Sequence, residues 1–227
     1  MGRHLAWEGC VNARDLGGMP TGDGRGTRWG AVVRCDSVDR LTAEGWRALE
    51  RHGIRTIVDL RNDVERAAAP YTCDLDVVHV PIEDDTDREF VRRWRPFSTP
   101  HYYAAALAQW PDRAAGAVAA VARARPGGVV VHCGLGRDRT GLIVMLLLAL
   151  VGVAPEDIAD DYELSAGRLP PPDPDALVAS ASLVNPRSRS QLEDDLATER
   201  RRRGERSDRE ALLGTLDALD VAAYLRA

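Results

Sequence analysis

The sequence predicts an α/β fold with a short, mostly parallel central sheet and helices on both faces. Short β-branched segments alternate with segments of helical periodicity, which is the pattern of this class. One segment, Gly128–His132, is apolar apart from its last residue, as expected for a strand buried on both faces of a parallel sheet. The 227 residues, 44% of them hydrophobic, are enough for a substantial core without disulfide bonds.

Three further strands and one helix are predicted in the first half of the chain. Ala31–Cys35 is a short strand candidate. A helix follows it, with Thr42 at the N-cap and Gly53 at the C′ position. Arg55–Leu60 and Asp76–Pro81 are rich in β-branched residues, which favours strands.

The second half is predicted to be mainly helical around the buried strand. Asp112–Arg125 has apolar residues at helical spacing and ends before a Pro-Gly pair. After the strand and a turn, an apolar helix is expected from Thr140, followed by a short helix over Pro155–Ala166. The apolar face of a final helix is marked by Leu212, Leu216, Leu219 and Ala223.

We expect residues 1–227 to form a single domain, because the sequence has no internal repeat and no second core pattern. Leu169–Asp175 contains four prolines, which excludes regular structure there. The following stretch, Ser188–Arg206, is charged and indicates a surface helix. We interpret residues 168–206, approximately, as a lid or insertion.

Charge and hydropathy exclude several classes of protein. The chain has 35 acidic and 30 basic residues and a net charge of −5, so a basic face for nucleic acid is not expected. The longest apolar run, Leu142–Ala154, has 13 residues and is too short for an integral membrane segment. The N-terminus lacks the apolar stretch of a signal peptide, which leaves only signal-independent routes of secretion open.

The cysteines favour a reduced, cytoplasmic protein. They stand far apart at Cys10, Cys35, Cys73 and Cys133, with no CxxC motif. No histidine pair has metal-ligand spacing, so we expect neither a metal nor another cofactor.

One stretch joins a cysteine and an arginine between the buried strand and the apolar helix. It contains Cys133, five further residues, then Arg139 and Thr140. A tight turn entering a helix N-terminus aims several backbone N–H groups at one point, where the helix dipole adds positive potential. Such a point binds a phosphate dianion and favours the thiolate form of a cysteine. The sequence therefore predicts Cys133 as a nucleophile at the floor of an anion pocket.

The rest of this loop is predicted to complete the pocket. Arg139 would hold the bound oxygens, since bidentate contacts to phosphate need its planar fork. Thr140 can donate its hydroxyl to the cysteine sulfur, and glycines allow close approach of the backbone. The predicted substrate-binding residues are Gly134, Leu135, Gly136, Arg137 and Thr140.

The stretch His132–Gly141, HCGLGRDRTG, resembles the phosphate-binding loop of cysteine-based protein tyrosine phosphatases, HCxxGxxR(S/T)G. It is similar in particular to the bacterial, atypical dual-specificity-like members, which have Gly-Lys-Asp-Arg-Thr in the loop. Asn12–Gly18, Gly53–Arg61 and the pair Asp161-Tyr162 also resemble segments of that family. Arg137 stands where the family has lysine, which keeps the charge but changes its reach and geometry.

The resemblance implies the cysteine-phosphatase fold and a phosphomonoester hydrolase without a metal. Carried over to this chain, Cys133 attacks phosphorus and forms a cysteinyl-phosphate, while Arg139 and the loop amides hold the equatorial oxygens. A carboxylic acid protonates the leaving oxygen. The implied substrate is phosphotyrosine in a protein. A dual-specificity or phosphoinositide phosphatase, or a non-catalytic phospho-binding module, is the alternative.

The resemblance leaves open which carboxylic acid acts. Asp138 lies inside the loop, where a bound dianion would favour its protonated form. Its alternative role is a structural carboxylate paired with Arg137 or Arg14. Arg14 itself is expected to connect the N-terminal loop to the site region, or to form a purely structural salt bridge. His132 is expected to support the loop by hydrogen bonding, and its alternative is a core histidine.

Two other positions offer acidic residues. Asp84 and Asp85 follow a strand where related phosphatases carry their acid, and their alternative is a solvated turn. Asp112 completes a Trp-Pro-Asp triplet like that of eukaryotic tyrosine phosphatases. It lies only 21 residues before Cys133, so we interpret it as the start of the helix that follows.

Overall fold

A computed structural model of the chain describes residues 2–66, 75–94, 99–169 and 206–226, together with positions 188, 190, 191, 194, 197 and 198. In this part of the chain, five strands form one sheet in the order β1-β2-β5-β3-β4. β1 pairs antiparallel with β2, and the other pairings are parallel. The strands are β1 (Arg14–Asp15), β2 (Val32–Cys35), β3 (Ile54–Asp59), β4 (Asp76–His79) and β5 (Gly128–His132).

β5 lies at the centre of the sheet and is buried on both faces. Because successive strand residues point to opposite faces, Val129 and Val131 contribute to one hydrophobic core. Val130 contributes to a second core, which it shares with Trp7 and Leu49. The continuous apolar run of β5 is therefore explained by two cores, as the sequence predicts.

Helices cover both faces of the sheet. α1 (Ala43–Arg51) packs against β3 on one face, together with the N-terminal segment. On the other face lie α2 (Arg88–Trp94), α3 (Tyr103–Gln109), α4 (Pro111–Ala122), α5 (Asp138–Leu150), α6 (Pro155–Glu163), α7 (Asp208–Asp217) and α8 (Val221–Tyr224). Short 3₁₀ turns occur at Val38–Arg40, Asp63–Glu65 and Pro100–Tyr102.

The predicted strands and the caps of α1 are confirmed. The Thr42 side chain accepts a hydrogen bond from the Gly45 N–H, and Gly53 has a left-handed φ of 91°. The predicted final helix is instead two helices, because Asp220 caps a new helix by accepting from the Ala223 N–H. The helices α2 and α3 were not expected, since they are only seven residues long and have little periodicity.

Most of the predicted lid lies outside the described residues, as does Cys73. The lid therefore stays a prediction. Among the described helices, none is long and apolar enough to cross a bilayer.

Candidate active site

The loop after β5 leaves the carboxyl edge of the sheet and leads directly into α5. β5 ends at His132, Cys133 follows, and α5 begins at Asp138, two residues before the predicted start at Thr140. Cys133 is only 3% exposed. The nucleophile predicted from the sequence thus lies buried beside the N-terminus of a 13-residue helix, where the helix dipole is positive.

The backbone of this loop is held from its outer side. The carbonyl oxygen of Gly134 accepts from the Ser37 N–H at 3.0 Å. Asn12 Nδ2 donates to the next two carbonyls at 3.0 and 3.1 Å, and Arg34 Nη2 donates to the third and fourth at 2.8 and 3.0 Å. The four carbonyls are those of Gly134, Leu135, Gly136 and Arg137.

These contacts determine where the N–H groups of the loop point. In a planar trans peptide, the C=O of one residue and the N–H of the next point in opposite directions. Because four successive carbonyls point outward, the N–H groups of residues 135–138 point to the inner side of the loop. This is a ready-made arrangement for binding an anion.

Gly136 has a backbone conformation and a close contact that require glycine. Its φ is +65°, in the left-handed region. A Cβ atom built there would lie 2.1 Å from the carbonyl oxygen of Cys35 at the end of β2. No residue with a side chain fits this position without moving the loop away from the sheet.

The side chain of Arg139 lies close to Gly134, near the start of the loop. A Cβ atom on Gly134 would lie 3.7 Å from Arg139 Nη2. The Glu65 carboxylate binds both Nη atoms, with Oε1 at 2.6 Å from Nη2. Glu83 Oε2 lies 3.9 Å from Nε. Two carboxylates therefore fix the direction of this partly buried guanidinium.

His132 directly precedes the cysteine, Thr140 lies in the first turn of α5, and both are fully buried. His132 Nδ1 is 3.2 Å from the Cys133 carbonyl, and Nε2 is 3.7 Å from Asp59 Oδ1. Burial lowers the pKa of His132, which favours the neutral imidazole that donates to the carbonyl. The Thr140 hydroxyl makes no hydrogen bond within the described residues, so the predicted bond to sulfur is not formed here.

Asp138 begins α5 and is enclosed by aromatic residues. Tyr162 donates its hydroxyl to Asp138 Oδ1 at 2.8 Å, and Tyr103 donates to the Asp138 carbonyl at 2.8 Å. Burial raises the pKa of Asp138 to about 7, against the effect of Arg137 and the Tyr162 hydrogen bond. A large fraction of this carboxyl is therefore protonated at neutral pH.

The sequence matches the family model of the tyrosine phosphatases over residues 5–225. The chain belongs to the tyrosine phosphatase family.

Two curated relatives are also named as tyrosine phosphatases. A Cupriavidus necator protein, named a candidate tyrosine-protein phosphatase, is 32% identical over 171 residues, 71% of this chain and 63% of that protein. A Nostoc commune tyrosine-protein phosphatase is 30% identical over 142 residues, 60% of this chain and 48% of that protein. The alignments thus span less than two thirds of the length of these relatives.

Solved structures of TpbA from P. aeruginosa resemble the chain more distantly. The one solved in complex with pTyr has 18% identity and a TM-score of 0.40, covering 76% of this chain and 89% of that one. A second has 19% identity and a TM-score of 0.36, covering 69% and 89%.

In this phosphatase-family chain, the side chain of Arg137 is directed toward α6 and α7. Its Nη2 lies 2.7 Å from Asp208 Oδ2, and its guanidinium lies 5.5 Å from the centre of the Tyr162 ring. Its Nε is 3.8 Å from Asp138 Oδ1, so the ion pair with Arg137 that the sequence offers as an alternative role of Asp138 is present. Arg137 thus offers the loop its backbone N–H, while its side chain connects the loop to the C-terminal helices.

The acidic residues after β4 point in different directions. Asp84 accepts hydrogen bonds from Thr86 at 2.6 and 2.8 Å, which lower its pKa, and pairs with Arg113 at 3.0 Å. Asp85 accepts from the Asn62 side chain. Glu83, by contrast, is the acidic residue of this segment with a contact to Arg139.

Asp112 lies at the start of a helix, and Arg14 forms a salt bridge. Asp112 is exposed in the first turn of α4, directly after Pro111. Arg14 is buried, with Nε at 3.0 Å from Asp161 Oδ1 and Nη1 at 2.6 Å from Asn12 Oδ1. It thereby connects the N-terminal segment to α6 and to the residue that holds the loop.

Arg34, Glu65 and Glu83 are among the residues that contact the loop and that sequence reasoning missed. Glu65 and Glu83 lie in polar segments after strands, which is a weak signal shared with many surface loops. Arg34 is flanked by Val33 and Cys35 within a predicted strand. Because arginine is rarely buried without a partner, its position in an apolar strand could have indicated a buried polar contact. Among the described residues, no cluster of three or more His, Cys, Asp or Glu could hold a metal ion.

Proposed function

We propose that this chain is a protein-tyrosine phosphatase that hydrolyses phosphotyrosine through a cysteinyl-phosphate intermediate. The observation that carries the proposal is the set of four outward-held carbonyls next to buried Cys133. It supports an inner ring of N–H groups for three equatorial phosphate oxygens, with Arg139 beside them. Family membership and the names of the relatives support the same chemistry.

In the first step, the Cys133 sulfur attacks phosphorus as a thiolate. The S–P bond forms while the bond from phosphorus to the tyrosine oxygen breaks. That oxygen takes a proton from the general acid and leaves as a neutral phenol. Loop N–H groups and Arg139 stabilise the charge on the transferring oxygens.

In the second step, water attacks the phosphorus of the intermediate. The carboxylate left by the first step accepts a proton from this water, and the S–P bond breaks. Inorganic phosphate and the Cys133 thiolate are the products. The Thr140 hydroxyl, buried and without a partner among the described residues, is suited to donate to this thiolate.

We assign the acid role first to Asp138. Its pKa of about 7 keeps a large fraction of it protonated near neutral pH, as the general acid of the first step must be. Glu83, next to Arg139, is the candidate that the structure adds to Asp84 and Asp85.

The finer assignments belong to the same proposal. The substrate is phosphotyrosine in a protein, and dual-specificity or phosphoinositide hydrolysis is the alternative. The expected location is the cytoplasm, since a thiol nucleophile needs a compartment where thiols stay reduced. We further propose that residues 1–227 act as one phosphatase domain with a lid at residues 168–206, approximately.

A substrate panel tests this function. Purified protein would be given phosphotyrosine peptides, matched phosphoserine and phosphothreonine peptides, and phosphoinositides, with a chelator present throughout. We expect release of phosphate that is fastest from phosphotyrosine. Faster hydrolysis of phosphoinositides would overturn the substrate assignment, and no hydrolysis of any monoester would overturn the enzyme assignment.

A further inference from the structure

Behind the phosphate-binding loop, two buried arginines share one buried carboxylate. The side chains of Arg14, Arg34 and Asp161 are at most 1% exposed. Asp161 Oδ2 is 2.8 Å from Arg34 Nη1, and Oδ1 is 3.0 Å from Arg14 Nε. A third arginine, Arg3, reaches Oδ1 from the surface at 2.9 Å.

The charges in this cluster do not balance. Three guanidinium groups meet the single carboxylate of Asp161. Burial alone would raise the pKa of Asp161, but Arg34, Arg14 and Arg3 together lower it. The two buried guanidinium groups, those of Arg14 and Arg34, carry one more charge than the Asp161 carboxylate that they share. A buried cation is costly unless an anion lies close to it.

Arg34 is the member of this cluster that touches the loop. One Nη atom binds Asp161, and the other donates to the carbonyls of Gly136 and Arg137. Asp161 therefore aims the guanidinium, and the guanidinium fixes the two peptide planes whose N–H groups belong to Arg137 and Asp138. The contact joins residues about 100 positions apart in the sequence, across β2 and β5.

We propose that Arg34 is a positioning residue of the phosphatase, which presets the inner N–H groups for the phosphate dianion and adds positive charge behind them. This deepens the proposed function and rests on it. The dianion and the Cys133 thiolate supply the negative charge that the buried cluster lacks. Arginine suits this position because its planar fork serves a carboxylate on one side and two carbonyls on the other.

The test compares three variants in the full chain. Arg34→Met removes the charge and both carbonyl contacts, while Arg34→Lys keeps the charge without the planar fork. Arg3→Met is the matched control, because it also removes a cation from Asp161. Within the described part of the chain, the Arg3 side chain bonds to that carboxylate and not to the loop. Circular dichroism melts establish whether each variant folds. If Arg34→Met fails to fold, Arg34→Lys still tests the proposal.

Two readouts need no turnover and so separate this proposal from the proposed function. The first is protection of Cys133 from iodoacetamide by inorganic phosphate, and the second is the pH midpoint of alkylation in the absence of phosphate. In Arg34→Met we expect phosphate protection to weaken by about tenfold or more and the midpoint to rise.

Arg34→Lys should restore the alkylation midpoint but only part of the phosphate protection, and Arg3→Met should change each by less than about threefold. A folded Arg34→Met or Arg34→Lys variant that matches wild type in both readouts would overturn the proposal. So would an equal effect of Arg3→Met. If wild type binds phosphate but hydrolyses no monoester, the proposed function fails while the positioning role of Arg34 toward the anion survives.

Discussion

At the scale of single residues, the environment of Asp138 decides its chemistry. The carboxyl begins a helix, where a negative charge would ordinarily be favoured. Burial beside Tyr103 and Tyr162 outweighs that preference and raises its pKa to about 7. A carboxyl group in this state can donate a proton near neutral pH and accept one in the next step.

Asp138→Asn should therefore slow substrates with poor leaving groups most, because they depend on protonation of the leaving oxygen. We expect a loss of about 10²- to 10⁴-fold on a tyrosyl or alkyl phosphate, and a much smaller loss on an activated aryl phosphate. The measurement is kcat/KM for a series of aryl phosphates whose leaving phenols are of decreasing acidity.

Glu83→Gln, Asp84→Asn and Asp85→Asn belong in the same series, and exposed Asp112→Asn is its control. An Asp138→Asn effect that is equal for good and poor leaving groups would assign Asp138 a structural role. The general acid would then be the residue whose substitution slows poor leaving groups more than good ones.

At the scale of elements, the loop keeps its shape because the sheet edge and the backbone leave no room at one glycine. Gly136 lies against the end of β2 with a left-handed φ, whereas Gly134 has ordinary van der Waals space. The two glycines therefore offer a matched pair of substitutions within one loop.

Gly136→Ala should displace the loop from Cys35 and misdirect the N–H groups that it presents. We expect kcat/KM to fall by at least about 100-fold, comparable to the effect of a misplacement of about 1 Å in a catalytic group. Gly134→Ala places its Cβ 3.7 Å from Arg139 and should cost less than about tenfold. Similar activity of the two variants, measured on one aryl phosphate, would contradict this account of the loop.

The sequence predicts elements and residues whose signal is local. β5 is marked by a short apolar run, and α1 by the residues at its two ends. Cys133 and Arg139 are likewise marked by a motif within one short stretch of the chain. The start of α5 was misplaced because Asp138 belongs to both the loop and the helix.

Contacts between distant segments could not be predicted in the same way. Glu65 meets Arg139 across 74 positions, and Arg34 meets the loop across about 100. Their partners depend on which strands become neighbours, and a single sequence does not contain that order. α3 was missed because a short alanine-rich stretch has little periodicity.

At the scale of the whole molecule, buried carboxyl groups make stability depend on pH in two directions. Hydrogen bonds from Arg61 and its charge outweigh burial and lower the pKa of Asp59 to about 2. The pKa of Asp161 is likewise lowered by the arginines around it. The unfolded chain binds protons at these two sites as pH falls below about 4, so stability is lost there. Asp138 has the opposite effect, because the folded chain keeps its proton up to about pH 7.

Between about pH 4.5 and 6.5, the unfolded chain has released the Asp138 proton and the folded chain has not. Stability contributed by this group therefore falls as pH rises, by about 1.4 kcal/mol per pH unit. Asp138→Asn should remove this slope, and Asp112→Asn should keep it. Urea unfolding at a series of pH values measures the difference, and identical slopes in wild type and Asp138→Asn would refute the raised pKa.

We propose that Cys133 is the nucleophile in a loop built to hold a phosphate dianion. The most direct test measures hydrolysis of a phosphotyrosine peptide by wild type and by Cys133→Ser, with phosphate binding measured for both. The account predicts that Cys133→Ser loses turnover almost completely, by about 10³-fold or more, while it still binds phosphate through the loop N–H groups and Arg139. Turnover by Cys133→Ser within about tenfold of wild type would contradict it.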